Sequence, residues 1–152
     1  MLPQRKKLPH DIPPWVPDGS RYFITINIAK RGANILTQNA IAQTLLASIH
    51  VYEDQQKWHV WAMVVMPDHV HIIASFSAAG IQPIISSWKG YQAKTHHIDW
   101  QAGFFEHRLR NDAEFTEKFW YVLHNPVRRH LVTDWNEWPY TFMRGDWADN
   151  NR

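Results

Sequence analysis

Apolar and polar positions alternate through RYFITINIAK, Arg21 to Lys30: Tyr22, Ile24, Ile26 and Ile28 fall on one side, Phe23, Thr25 and Asn27 on the other. A period of two built from β-branched and aromatic residues predicts a first strand, closed by Arg31-Gly32. The period then lengthens. In TQNAIAQTLLASIHVYE, Ile41, Leu45, Ile49 and Tyr52 recur at helical spacing with Leu46 widening the stripe, and Thr37 stands where an N-cap is expected. WHVWAMVVM (Trp58 to Met66) and HVHIIASF (His69 to Phe76) are β-rich runs separated by Pro67-Asp68, which predicts a tight antiparallel hairpin. A second helix is expected over IQPIISSWKGYQAKTH, starting near Pro83 and weakened at Gly90. GFFEHRLR gives a short strand, and DAEFTEKFWYVLH a third helix with Asp112 as its candidate N-cap. The tryptophan-rich remainder has no assignable pattern. This order of elements is that of an α+β, ferredoxin-like (split βαβ) sandwich, an antiparallel sheet with helices on one face.

At 152 residues the chain fits a single core. It divides into a basic, proline-rich arm (1–20), a domain (21–142) and a tail (143–152). No apolar run is long enough to cross a bilayer, and prolines follow the early charges where a signal peptide would be apolar, so a cytoplasmic location and no membrane partner are expected. The absence of cysteine excludes disulfides, thiolate metal sites and cysteine nucleophiles. A formal charge of +2, a pI near 9.0 and ten histidines permit a polyanionic partner.

Candidate chemistry begins at VVMPDHVHIIASF. Strand alternation puts His69 and His71 on one face, roughly 6 to 7 Å apart at Cα. Two such imidazoles can share a metal ion, bracket a phosphate, or stand as a structural pair bonded to backbone or water. On the third helix, at about 100° per residue, Phe115, Phe119, Val122 and Leu123 form the apolar stripe, and Tyr121 falls outside it near Asn125. Tyr121 and Asn125 are four apart, so a phenol and a carboxamide oxygen can approach one point. Asn125 precedes Pro126, so it can equally end a helix or cap the turn that follows.

With MPDHVHII, WKGYQAKTHH, GFFEHRLRND and YVLHNPVRRHLV in order, the chain resembles the single-tyrosine HUH transposases, in particular the REP-associated tyrosine transposases of bacteria. The resemblance spans about Tyr22 to Phe142 and departs at Arg129-His130, where small residues or glycine are frequent. It implies His69 and His71 as a metal-binding pair, Asn125 as a further ligand, Tyr121 as nucleophile, and magnesium or manganese as cofactor. The implied activity is cleavage and joining of single-stranded DNA, folded as hairpins or REP-like palindromes, through a 5′-phosphotyrosine. A monomer or a homodimer is compatible with it, with Tyr121 acting in cis or in trans. Candidate phosphate contacts are Lys89, Lys94, Arg108, Arg110, Arg128 and Arg129, with His96, His97 and the Arg5-Lys6-Lys7 arm beside them. Trp88, Tyr91 and Trp100 are candidates for base stacking, the first two also fitting a helix stripe. His107 falls on a family-typical position with no assigned role. The alternative function is a non-catalytic, domesticated DNA-binding module on the same fold. An RNA-recognition domain lacks its aromatic strand signature here, and a zinc hydrolase lacks a well-placed carboxylate ligand.

Overall fold

The computed structural model describes residues 11–145; the Arg5-Lys6-Lys7 arm and the tail from residue 146 onward lie outside the described residues. Strands β1 (Arg21–Asn27), β2 (Trp58–Val65), β3 (His69–Phe76), β4 (Phe105–Leu109) and β5 (Thr141–Met143) form one antiparallel sheet in the order β4-β1-β3-β2-β5. The first four, with α1 (Asn39–Asp54) and α2 (Ile81–His96) as crossovers, make the expected split βαβ arrangement, and β5 extends it beside β2.

Alternation along the strands sorts side chains into two cores. Ile24, Ile26, Met63, Val70 and Ile72 pack with Leu45 and Ile49 of α1 and with Ile85 and Trp88 of α2. Phe23, Val64 and Ile73 pack with Phe115, Phe119, Val122 and Leu123 of α3 (Asp112–Leu123). Helices therefore cover both faces: the expected one-sided layer holds for α1 and α2, while α3 closes the other side. The cause is visible in β2 and β3, which are buried at every position but His59, so both faces of the sheet need a cover. A register shift between Val60 and Ala62 turns both Trp61 and Ala62 toward α3, and the Trp61 indole donates to Ser75 Oγ at 3.3 Å.

Several helix ends differ from expectation. Thr37 does not cap α1; its hydroxyl donates to Asn34 Oδ1, and Gln38 holds the cap position without a side-chain bond. Helix α2 begins at Ile81, two residues before Pro83, because the first four helical N–H groups lack intrahelical acceptors and proline loses nothing there. Gly80, at φ 93°, makes the turn into it. Asn111, not Asp112, caps α3, accepting from the Glu114 amide at 2.8 Å, while Asp112 pairs with Arg21 at 2.8 Å. The tail left unassigned by pattern forms a 3₁₀ turn, Trp135–Glu137, boxed by Asp134 and Glu137, and then β5. It is fastened by the Trp138 indole on Val65 O at 3.0 Å and by Arg144, which donates to Val60 O at 2.7 Å and pairs with Glu53.

Gly90 lies mid-helix on an exposed face, with open space where a side chain would stand. Gly90→Ala is accordingly expected to raise unfolding stability by about 0.5–1 kcal/mol, measurable by denaturant melts. A loss of stability would mean that this turn of α2 is not helical in solution.

Candidate active site

Strand β3 is the middle of the five, hydrogen-bonded on both sides, so its backbone is fixed and its odd-numbered side chains face α3. His69 and His71 are on that face with ring centroids 4.6 Å apart at 72°. Each ring is anchored at Nδ1. His69 Nδ1 is 2.7 Å from Asp68 Oδ1, and His71 Nδ1 is 3.0 Å from the hydroxyl of Thr25, its cross-strand partner. The carboxylate fixes the proton of His69 on Nδ1, which leaves Nε2 as an acceptor; Asn125 Nδ2 donates to it at 3.2 Å. Both imidazoles and the carboxamide are at least nine-tenths buried.

Burial pushes both imidazoles down. For His69 the Asp68 hydrogen bond opposes the shift, and for His71 the neighbouring His69 and the cations Arg128, Lys118 and Arg129 add to it, bringing it to about 3. Both rings are thus neutral near pH 7, in the form that coordinates metals. Burial would raise the Asp68 carboxyl, yet hydrogen bonds from His69, the Gly32 amide and Arg31 outweigh it and hold the group below the usual carboxylate range.

A stability consequence follows from His71. The unfolded chain takes up a proton near pH 6.5, which the folded ring refuses until about pH 3, so stability is retained above 6.5 and lost as pH falls between these values. The metal-free protein should lose on the order of 3 kcal/mol from this group by pH 4. His59, lowered to about 4 mainly by burial and then by Arg144, works in the same direction. Urea melts at pH 7 and pH 4.5 check this; equal midpoints would sink it, and His71→Gln should reduce the difference.

Tyr121 sits on the outer side of α3, 46% exposed. Its ring lies under the Arg128 guanidinium at 3.7 Å and beside Lys118 Nζ at 4.6 Å. Phe23 links it to the histidines, 6.5 Å from Tyr121 and 5.3 Å from His71 between centroids. The helix does not continue from Tyr121 to Asn125. It ends at Leu123, His124 intervenes, and Asn125 opens a short α4 (Asn125–Arg128), whose cap position belongs to His124. The Asn125 side chain therefore caps nothing and turns to His69.

Two imidazole nitrogens and a carboxamide form a donor set that suits a divalent cation, and the fixed Nδ1 partners supply the outer hydrogen bonds such ligands use. Among the described residues no group of three His, Cys, Asp or Glu offers a competing site. Asp68, Thr25, Phe23 and Lys118 were missed by pattern. Asp68 was read only as a turn residue, although its position directly before His69 was the available signal.

Residues 20–130 match the family described as "Transposase IS200 like". The chain belongs to that family. It is 27% identical over 135 residues to the REP-associated tyrosine transposase of Escherichia coli (strain K12), covering 86% of this chain and 80% of the relative. Its fold is shared with a solved REP-associated tyrosine transposase bound to a REP hairpin, with a TM-score of 0.76 at 24% identity over 93% of this chain and 87% of that one. The REP-associated resemblance seen in the sequence is thereby borne out.

Within this IS200-like transposase the candidate phosphate contacts divide. Arg128 and Arg129 flank the histidine site. Arg108 pairs across strands with Tyr22 and so faces the α1/α2 side, where α2 carries Lys94 in its last turn. Arg110 is exposed just before α3, and its amide donates to Glu114. Lys89 is not a free surface cation: its ammonium clamps the carbonyls of Gln101 at 2.9 Å and Gly103 at 2.7 Å. Trp88 is fully buried and stacks toward half-buried Trp100, whereas Tyr91 is 58% exposed.

Proposed function

We propose that this IS200-like transposase is a metal-dependent single-strand DNA endonuclease and strand transferase acting on hairpin or palindromic DNA. The observation that carries the proposal is the convergence of His69, His71 and Asn125 on one buried point beside a half-exposed tyrosine. His69, His71 and Asn125 would hold magnesium or manganese, with the Asn125 carboxamide presenting its oxygen in place of the N–H it now gives to His69. When bound, the cation supplies positive charge that polarises the scissile phosphodiester.

Tyr121 Oη attacks phosphorus, the phenolic proton leaves, and the bond to O3′ breaks. The products are a 5′-phosphotyrosine and a 3′-oxygen that takes up a proton. The energy of the broken phosphodiester is kept in the new one, so attack by a 3′-hydroxyl reverses the step and rejoins DNA. Arg128 and Lys118, both against the tyrosine ring, place two cations where the phosphate's charge arrives. Asp68 and Thr25 hold the two imidazoles by their far nitrogens. One subunit carries all four groups in one neighbourhood, which favours a tyrosine acting in cis.

The test is incubation with end-labelled hairpin DNA and manganese, followed by denaturing electrophoresis. A covalent adduct with a matching free 3′-hydroxyl fragment is expected. Binding that weakens with salt, without cleavage or adduct on any of several REP-like hairpins, would select the non-catalytic module instead.

A further inference from the structure

Phe105 is 55% exposed, an unusual placement for a phenylalanine on an edge strand, where charged residues normally discourage contact. It is the cross-strand partner of Thr25, the residue that anchors His71, and so belongs to the same face of the sheet as the histidine pair. Its ring meets Phe23 edge-on, with centroids 6.0 Å apart at 66°. Phe23 is also the ring that touches His71 and Tyr121, and Lys118 Nζ lies 4.7 Å above it. Phe105 is thus one side chain removed from both the candidate nucleophile and a cation.

Strand alternation also separates charge along β4. Glu106 pairs with Ile24 and Arg108 with Tyr22, on the α1/α2 side; Phe105 and exposed His107, the partner of Phe23, share the side of the site. That side of β4 carries an open aromatic ring and an imidazole and no carboxylate. An exposed aromatic ring one side chain away from a lysine suits an unpaired nucleotide, with its base on the ring and its phosphate toward the ammonium.

We propose that Phe105 is a base-stacking residue, holding an unpaired nucleobase of the DNA strand next to the scissile phosphate, with His107 bordering the same strip. The proposal rests on the functional reading above for what lies beside it, but it concerns binding and is measured without cleavage. Fluorescence anisotropy would compare a hairpin with single-stranded flanks and the same hairpin without them, for wild type, Phe105→Ala and Phe105→Trp.

Phe105→Ala should weaken binding of the flanked hairpin by roughly 5- to 100-fold and leave the flankless hairpin unaffected, with Phe105→Trp restoring affinity. An abasic nucleotide at one flank position should reproduce the loss, with no further loss when combined with Phe105→Ala. Wild-type affinity of Phe105→Ala for the flanked DNA would overturn the proposal. So would a wild-type dimer that Phe105→Ala dissociates without changing affinity per chain, which would make the ring a subunit contact. A normal adduct with unchanged Phe105→Ala binding defeats this inference alone; the predicted binding loss without any adduct defeats only the nuclease reading.

Discussion

Tyr121→Phe is expected to abolish the covalent protein–DNA adduct while leaving folding and hairpin binding intact. The reasons are local. The ring makes its contacts through its faces and edge, with Arg128 at 3.7 Å, Lys118 at 4.6 Å and Phe23 at 6.5 Å, and phenylalanine can keep all three. The residue is 46% exposed, so removing one oxygen should change stability by no more than about 0.5 kcal/mol. The lost oxygen is the attacking atom of the proposed mechanism, and Tyr22, Tyr52 and Tyr140 pack with the α1/α2 core on the other face of the sheet. Denaturing electrophoresis reads the adduct, and a melt with a binding isotherm reads the rest. An adduct that persists in Tyr121→Phe would assign the nucleophile elsewhere; a collapsed melt would assign Tyr121 a structural part.

Asp68→Ala should be the most damaging single change near the site. The carboxylate is 3% exposed and accepts from three donors: His69 Nδ1 at 2.7 Å, the Gly32 amide at 2.9 Å and Arg31 Nε at 3.0 Å. Alanine strands the buried imidazole donor and the loop amide, whereas Arg31, half-exposed, recovers water. The expected cost is about 3 kcal/mol, lowering the melting temperature by roughly 6–12 °C for a chain of this size. It also frees the tautomer and orientation of His69, so manganese affinity should fall about 10- to 100-fold. Asp68→Asn, which keeps the shape and one acceptor, should lie between. Calorimetry and metal titration separate the effects, and an Asp68→Ala protein with unchanged melting temperature would contradict the hydrogen-bond geometry described.

Much of this was legible in the sequence. Period-two alternation set His69 and His71 on one face, and that face is the one they occupy. The helical stripe of Phe115, Phe119, Val122 and Leu123 excluded Tyr121 from the core, and Tyr121 is half-exposed. What failed depended on partners that residue preferences alone do not reveal. Thr37 and Asp112 fit the residue preferences of caps, but Asn34 and Arg21 claim them. Lys89 looked like a surface charge until the loop at Gln101 folded onto it. The face covered by α3 could not be chosen from its own stripe, since β2 offers apolar residues on both sides. The departure at Arg129-His130 has a counterpart in the backbone. His130 adopts φ 60°, a left-handed conformation that glycine takes without strain, in the turn after α4.

The position of β3 in the sheet carries a last consequence. A strand flanked by β1 and β2 and buried on both sides opens only when the whole domain does, whereas β4, at the edge with four of its five residues exposed, belongs to the segments that open first. In amide exchange, the amides of β3 are therefore expected to be among the slowest of the described residues and those of β4 to exchange faster. On the proposed reading, the half that would hold the metal is preorganised, while the half proposed to meet DNA can adapt to a strand without disturbing it.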